Sequence, residues 1–356
     1  MILFKHKGND LCLRFLSDWK KVEESMSVHT DVCPIYFPFS LELQFDKELE
    51  ARLAHDLRKW PYFQLLSPHI AQVGVDMSRL CSFQSDLSYE RRVLLHRHLT
   101  WIFIVDEVSE KLPLYKLHAT AGKVYLENFK SIMRNGPVED MMQFKGSCPD
   151  ELIQMALDAQ CIFAEDLMPL KRKLLQPHHL QACIDAFDLY FDKQYEESQK
   201  FCTEQTSQEV LKTRGFTIGV LVPFLLCMTS AHAELYRADD PCLTQIGVLV
   251  ALFHDIMGLF KDLDALNREQ PDDSSAFLNL VRLSMREHGL SETEALRLSA
   301  QRLNHFSHSY EFFINSYAPA LQQFYRENLR FCFNFYDYHL MGILGNPNNR
   351  YGWSIV

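Results

Sequence analysis

Cationic residues are scarce in this chain of 356 residues. It carries 36 Lys and Arg against 46 Asp and Glu, which gives a net charge of −10 at pH 7. A protein that binds nucleic acid without regard to sequence needs a basic surface, so we expect no nucleic-acid partner. Any polyanionic ligand would have to be met by a local group of cations.

Paired cysteine motifs and long apolar runs are missing as well. The ten cysteines include no C-x-x-C pair and no secretory signal precedes them, so we predict reduced thiols in a cytoplasmic protein. The longest apolar run, residues 216–228, contains Pro223 and is too short to span a bilayer. We therefore expect no membrane insertion.

Glycine is also rare, with 13 residues, and tight-turn dipeptides are few. Apolar residues instead recur at helical spacing, as at Leu152, Met155 and Ala159. The pattern predicts an all-α protein in which residues 41–356 form a single domain of about ten or more helices. Periodicity is weaker in residues 1–40, which we expect to form an irregular N-terminal strap.

An acidic cluster follows the apolar stretch that ends at Val105. Asp106 and Glu110 are four residues apart and would share one face of a helix, with Glu107 one step around it. Hard carboxylate oxygens suit Mg²⁺, which binds a few carboxylates together with phosphate oxygens and water. A solvated helix end would show the same residues, so the cluster alone leaves both interpretations open.

A second stripe has unusual chemistry for a cation site. His254, Gly258 and Asp262 are spaced four residues apart and would align over two helical turns. The residues between them are mostly apolar, with Asp255 and Lys261 on other faces. Taken alone, the histidine could equally be a hydrogen-bonded core residue.

Two further clusters combine cations with glycine or proline. Arg214 and two glycines, Gly215 and Gly219, lie at the entrance to the apolar run 216–228, where an interrupted helix would present backbone carbonyls. Near the C-terminus, Arg350 offers a planar fork for phosphate and Tyr351 offers a hydroxyl donor. The alternatives are a loop arginine before a core helix and an ordered tail.

Together, in this order and spacing, the four clusters resemble those of a class I terpene cyclase over roughly residues 80–353. The resemblance implies an aspartate-rich motif and an Asn/Ser/Glu motif that hold three Mg²⁺ ions, with Mn²⁺ as a substitute. The implied metal-site residues are Asp106, Glu107, Glu110, His254, Gly258 and Asp262. The implied diphosphate sensor, linker, effector, flanking cation and terminal pair are Arg214, Thr217, Ile218, Lys261, Arg350 and Tyr351.

The second motif departs from the family pattern most. His254 stands where Asn is usual, Gly258 where Ser or Thr is usual, and Asp262 where Glu is usual. Imidazole is a poorer Mg²⁺ ligand than a carbonyl oxygen, and glycine offers no ligand, so water would fill the gap. Glu107 in place of a second Asp is a milder change.

The implied activity is the ionisation of an acyclic prenyl diphosphate, followed by cyclisation in an apolar pocket and release of diphosphate. The sequence resembles octocoral-type animal cyclases in composition, which slightly favours geranylgeranyl over farnesyl diphosphate. The aromatic candidates for the pocket lining are Phe83, Tyr89, Trp101, Phe103, Phe216, Phe333 and Tyr338.

Two alternatives remain open at this point. A prenyl-chain elongating synthase shares the fold but would need two strong aspartate-rich motifs. A helical isoprenoid-binding protein that has lost catalysis would explain His254 and Gly258. Either a monomer or a homodimer is compatible with the sequence.

Overall fold

The structure is a computed structural model that describes residues 3–6, 12–16, 18–26, 32–36, 46–82, 87–112, 118–200, 205–227, 241–267, 275–319, 321–326 and 353–355. Most of these residues are helical. The helices are α1 (Trp19–Met26), α2 (Lys47–Arg58), α3 (Pro68–Cys81), α4 (Tyr89–Lys111), α5 (His118–Met133), α6 (Asp150–Ile162), α7 (Met168–Leu174), α8 (Pro177–Lys200), α9 (Ser207–Thr217), α10 (Leu221–Cys227), α11 (Pro241–Leu266), α12 (Leu280–His288) and α13 (Glu292–Asn315). The all-α expectation is confirmed.

Local sequence signals explain where the helices begin. Asp46, Ser67 and Ser88 cap α2, α3 and α4 by accepting hydrogen bonds from first-turn N–H groups. Ser291 forms a capping box with Glu294 at the start of α13. Proline also marks helix starts, since α8 begins at Pro177 and α11 at Pro241.

A small sheet forms from the two ends of the chain. Its strands are β1 (Leu3–His6), β2 (Cys12–Leu16), β3 (Val32–Tyr36) and β4 (Trp353–Ile355), in the order β3-β2-β1-β4. β1 pairs antiparallel with both β2 and β4, whereas β2 and β3 run parallel. The irregular strap expected for residues 1–40 therefore contains, where it is described, three strands and α1.

Contacts divide the chain into two compact units. One comprises Met1–Leu43, Glu204–Ile218 and Pro241–Val356, and the other comprises Gln44–Thr203 and Gly219–Asp240. We call them the first and second unit and describe each by itself.

The core of the second unit is an aromatic cluster. The indole of Trp101 stacks on Phe163 at 4.8 Å and meets Phe129 and Phe187 edge-on, and Phe187 in turn stacks on Phe191. Trp101 Nε1 donates to the Ala159 carbonyl at 2.8 Å. This packing holds α4, α5, α6 and α8 together.

In the first unit, α9 and α11 approach one another so closely that their backbones touch. A Cβ added at Gly247 would lie 1.7 Å from the Gly215 carbonyl oxygen, and one at Gly215 would lie 3.1 Å from Val248 Cγ2. Only glycine fits at position 247. The contact fixes the separation of the two helices beside Arg214.

Among the described residues, one stretch is long and apolar enough to cross a membrane, Ser207–Cys227, with a mean hydropathy of 1.6. The structure buries 67% of that window, and core helices of soluble proteins pass the same test. The stretch is also not one continuous helix, because α9 ends at Thr217 and α10 begins at Leu221.

We predict that Asn304→Ala destabilises the protein by about 2–5 kcal/mol. Asn304 is fully buried on α13, accepts a hydrogen bond from Tyr36 N at 2.5 Å and donates to the Pro34 carbonyl at 2.8 Å, which fastens β3 to α13. Urea unfolding followed by circular dichroism would measure the loss. Gln301→Ala, at an exposed position of the same helix, is the matched control, and equal stability of the two variants would contradict the assignment.

Candidate active site

The first acidic cluster lies in the last turns of α4, within the second unit. Asp106, Glu107 and Glu110 are all half-buried. Glu107 pairs with Lys111 at 2.6 Å, one turn further along the helix. Asp106 instead accepts a hydrogen bond through Oδ1 from the hydroxyl of Tyr190 on α8, at 2.7 Å. The three carboxylates therefore have different surroundings.

Tyr190 was missed by the sequence reading. Burial, together with the nearby Asp106 carboxylate, raises the pKa of its phenol well above the ordinary value, so the hydroxyl stays protonated and donates. Tyr190 is one of two tyrosines on α8, and its spacing from the neighbouring Phe residues gives no signal that could have identified it. Its hydrogen bond orients one oxygen of Asp106.

The donors on α4 fit a magnesium ion. No group of three or more His, Cys, Asp or Glu side chains in the described part of the chain is placed to hold a metal by itself. Mg²⁺ does not require such a cage, because it keeps several waters and takes one or two carboxylates together with substrate phosphates. The half-buried oxygens of Asp106 and Glu110 match that requirement.

The second cluster lies along α11, in the first unit. A Cβ at Gly258 would lie 3.4 Å from Asp262 Oδ2, so these two positions share a helix face as the spacing predicted. Asp262 is 3% exposed, and its Oδ1 lies 3.2 Å from Lys261 Nζ. His254 is more open, with 21% of its side chain exposed. The stripe thus provides one carboxylate, one imidazole and one position without a side chain.

Asp255 is the best-satisfied charge in this region. It is fully buried, and its Oδ1 lies 3.2 Å from Arg214 Nη2 and 3.1 Å from His254 Nδ1, while Oδ2 accepts from Leu280 N at 2.9 Å. Burial alone would raise the pKa of Asp255, but Arg214, His254 and the Leu280 N–H outweigh burial and hold the pKa below its ordinary value. The carboxylate therefore stays ionised.

The role of Asp255 as partner of Arg214 was also missed by the sequence reading. An aspartate in the middle of an apolar helix has to find a cation when it is buried, so a signal was present. Arg214, on α9, is 7% exposed. The pair joins α9 to α11.

The helix interruption predicted after Arg214 is present. Thr217 is the last residue of α9, and Ile218 caps it by donating its N–H to the Arg214 carbonyl at 3.1 Å. Gly219 follows with φ of +73°, a conformation that favours glycine. The chain then resumes as α10.

The aromatic candidates fall into different surroundings. Tyr89 starts α4, about 25 Å along the helix from Asp106, and its hydroxyl donates to Asp56, so we leave it out of the proposed lining. Trp101 is fully buried in the aromatic cluster, whereas Phe103 and Phe216 are half-buried; their assignments stay predictions. Five predicted site residues lie outside the described residues: Phe83, Phe333, Tyr338, Arg350 and Tyr351.

Known proteins with similar sequences and folds identify the family of this chain. Residues 97–307 match the family model described as terpene synthase family 2, C-terminal metal binding. A (+)-bicyclogermacrene synthase from Penicillium expansum is 49% identical over 353 residues, which cover 99% of this chain and 90% of the relative. That relative comes from a fungus rather than from an animal.

Solved structures show the same fold. The 2-methylisoborneol synthase of Streptomyces coelicolor, in complex with Mg²⁺ and geranyl-S-thiolodiphosphate, superposes with a TM-score of 0.60 at 14% identity, covering 84% of this chain and 95% of that one. The germacradien-4-ol synthase of Streptomyces citricolor gives 0.55 at 14% identity, covering 89% and 97%. The chain therefore belongs to the terpene synthase family, as a magnesium-dependent enzyme with the class I helical fold.

Proposed function

We propose that this enzyme ionises farnesyl diphosphate and cyclises the resulting cation to a sesquiterpene, with release of diphosphate. The observation that carries the proposal is the 49% identity, over nearly the whole chain, to a synthase of bicyclogermacrene, which has fifteen carbons. The preference for geranylgeranyl diphosphate expected from the sequence is not supported by this relative, and we withdraw it.

We propose that Asp106 and Glu110 hold magnesium, with Glu107 beside them in its pair with Lys111. The hydrogen bond from Tyr190 supports this role, since it orients the carboxylate of Asp106 through Oδ1. When bound, magnesium draws charge from the diphosphate and so weakens the bond between its oxygen and the allylic carbon. We also propose that the enzyme binds three Mg²⁺ ions, with Mn²⁺ as a substitute.

At the second cluster we propose Asp262 as the carboxylate ligand and His254 as a nitrogen or water-mediated ligand. Gly258 brings no donor, so a water molecule would take the place of its side chain. The side chain of His254 is open enough to reach a ligand while its Nδ1 stays near Asp255. The chemistry of the set fits one metal with several bound waters.

The cations proposed to bind the diphosphate are Arg214, Lys261 and Arg350, with Tyr351 as a further donor. Arg214 is already oriented through Asp255, so little side-chain freedom would be lost when an anion binds. Lys261 approaches Asp262 at 3.2 Å and would neutralise charge near that ligand. Thr217 and Ile218 follow Arg214 as the proposed linker and effector, acting at the end of α9.

For the apolar lining we propose Phe103, Phe216, Phe83, Phe333 and Tyr338, with Trp101 as support from the core. Aromatic faces stabilise a migrating positive charge without reacting with it. We further propose that residues 41–356 act as one catalytic α-domain, which follows the N-terminal strap of residues 1–40 in the sequence. The enzyme would work in the cytoplasm as a monomer or homodimer.

Purified protein incubated with farnesyl diphosphate and Mg²⁺ should release a cyclic fifteen-carbon hydrocarbon or alcohol, detected by gas chromatography with mass spectrometry. Asp106→Ala should abolish formation of this product, because the variant loses the carboxylate that Tyr190 orients.

Addition of isopentenyl diphosphate tests the alternative functions: formation of a longer prenyl diphosphate would indicate an elongating synthase. Binding of farnesyl diphosphate without turnover would indicate the isoprenoid-binding protein.

Tyr190→Phe should raise the Mg²⁺ concentration for half-maximal rate about tenfold, because loss of a hydrogen-bond partner of a ligating carboxylate typically weakens metal affinity by about that factor. Tyr125→Phe is the matched control. Tyr125 is fully buried, and its hydroxyl has no hydrogen-bond partner among the described residues. Burial raises the pKa of Tyr125, and the nearby Asp106 carboxylate raises it further. A Mg²⁺ dependence of Tyr190→Phe equal to that of Tyr125→Phe would refute the role.

His254→Asn should retain or raise activity, because an amide oxygen is a harder ligand for Mg²⁺ than imidazole nitrogen. Steady-state kinetics at varied Mg²⁺ would measure the effect, with His254→Ala as the comparison that removes the ligand altogether. If the Asn variant is as impaired as the Ala variant, His254 acts through its contact with Asp255 rather than as a ligand.

A further inference from the structure

Asn279 lies, fully buried, in the connection between α11 and α12. Its Oδ1 accepts hydrogen bonds from Val281 N at 2.9 Å and Arg282 N at 3.2 Å, which makes it the N-cap of α12. Its Nδ2 donates to Asp262 Oδ2 at 2.7 Å and to the Asp255 backbone carbonyl at 3.0 Å. Both acceptor positions and both donors of this amide are used.

These four bonds determine the orientation of the amide. If the group were flipped, its oxygen would face the carboxylate and its NH₂ would face two N–H groups, so each contact would become repulsive. The donor must therefore point at Asp262. This places a neutral N–H, rather than a cation, against one oxygen of that carboxylate.

Gly258 explains why the donor comes from another element. A Cβ at this position would lie 3.4 Å from Asp262 Oδ2, the same oxygen that Asn279 contacts. Glycine supplies no hydroxyl there, so position 258 cannot orient the carboxylate. The other oxygen, Oδ1, makes an ion pair with Lys261 at 3.2 Å but accepts no hydrogen bond among the described residues.

We infer that Asn279 is a positioning residue for the second metal cluster: its amide fixes Asp262 through Oδ2, so that Oδ1 is presented to the metal. The inference rests on the metal role proposed above for Asp262. A single side chain outside the motif would therefore both cap α12 and orient a metal ligand.

The test separates these two tasks. Asn279→Ser keeps a good N-cap but withdraws the amide donor from Asp262. Thermal unfolding would be followed during a titration with Mg²⁺ in the presence of inorganic diphosphate, and Mn²⁺ binding would be followed by electron paramagnetic resonance. We expect a metal affinity about tenfold weaker or more, as for other partners of ligating side chains.

Two matched variants control for stability and rescue. Ser291→Ala removes the capping box of α13 without touching the cluster, so it should lower the melting temperature and leave metal affinity unchanged. Gly258→Ser adds a hydroxyl beside Asp262 Oδ2 and, in the Asn279→Ser background, should restore part of the affinity. If Asn279→Ser does not fold, Asn279→Gly is also tolerated at an N-cap and removes the donor altogether, and the same loss is expected.

Asp262→Ala, measured in parallel, distinguishes the two ways of failing. If it binds metal like the unchanged protein, the metal role of Asp262 is wrong and the inference falls with it. If Asp262→Ala loses affinity while the Asn279 variant retains it, only the role of Asn279 is overturned. If Ser291→Ala weakens metal binding as much as Asn279→Ser does, the role of Asn279 is also overturned, since the effect would then follow from stability alone.

Discussion

The buried carboxylate of Asp255 is the constraint on which the chemistry of the first unit depends. A charge that is fully removed from water is tolerated only with a cation and hydrogen-bond donors around it. Arg214 on α9, His254 on α11 and the N–H of Leu280 on α12 supply them. Two helices that carry candidate site residues, α9 and α11, and the start of α12 are thereby held to one anion. Removal of any of these partners would leave charge unsatisfied in the core.

The two acidic clusters are built on different principles. The proposed ligands on α4 are ordinary carboxylate oxygens, and the hydroxyl of Tyr190 donates a hydrogen bond to Asp106. On α11 the proposed ligand set is reduced to Asp262 and His254, and Asn279 donates a hydrogen bond to Asp262. The unusual residues of the second cluster are therefore accompanied by supporting contacts from outside the motif. A motif compared letter by letter does not reveal such support.

Local patterns allowed the helices to be predicted. Capping residues, prolines and apolar spacing act over a few residues, and the structure has such signals at the helix starts beside Ser88, Pro177 and Pro241. The break near Gly219 was predicted for the same reason. Both acidic clusters could be recognised in the sequence, because carboxylates beside or within an apolar stretch are costly to bury and therefore indicate a special role.

Contacts between distant segments could not be predicted. β1 pairs with β4, which lies at the other end of the chain, and strands this short carry too little alternation to be recognised. Asn279 reads as an ordinary cap, and Tyr190 reads as one aromatic among many, because only the fold brings them to Asp262 and Asp106. Tyr89 illustrates the converse, since its aromatic character alone did not show that it lies at the opposite end of α4 from Asp106.

The backbone contact between Gly215 and Gly247 bears on how this enzyme can evolve. The main chains of α9 and α11 meet there, with the side chain of Val248 beside Gly215. A side chain at Gly247 would push the two helices apart and so move Arg214 relative to Asp255. The evolution of the ion pair is in this way constrained at two glycines, which carry no chemistry of their own.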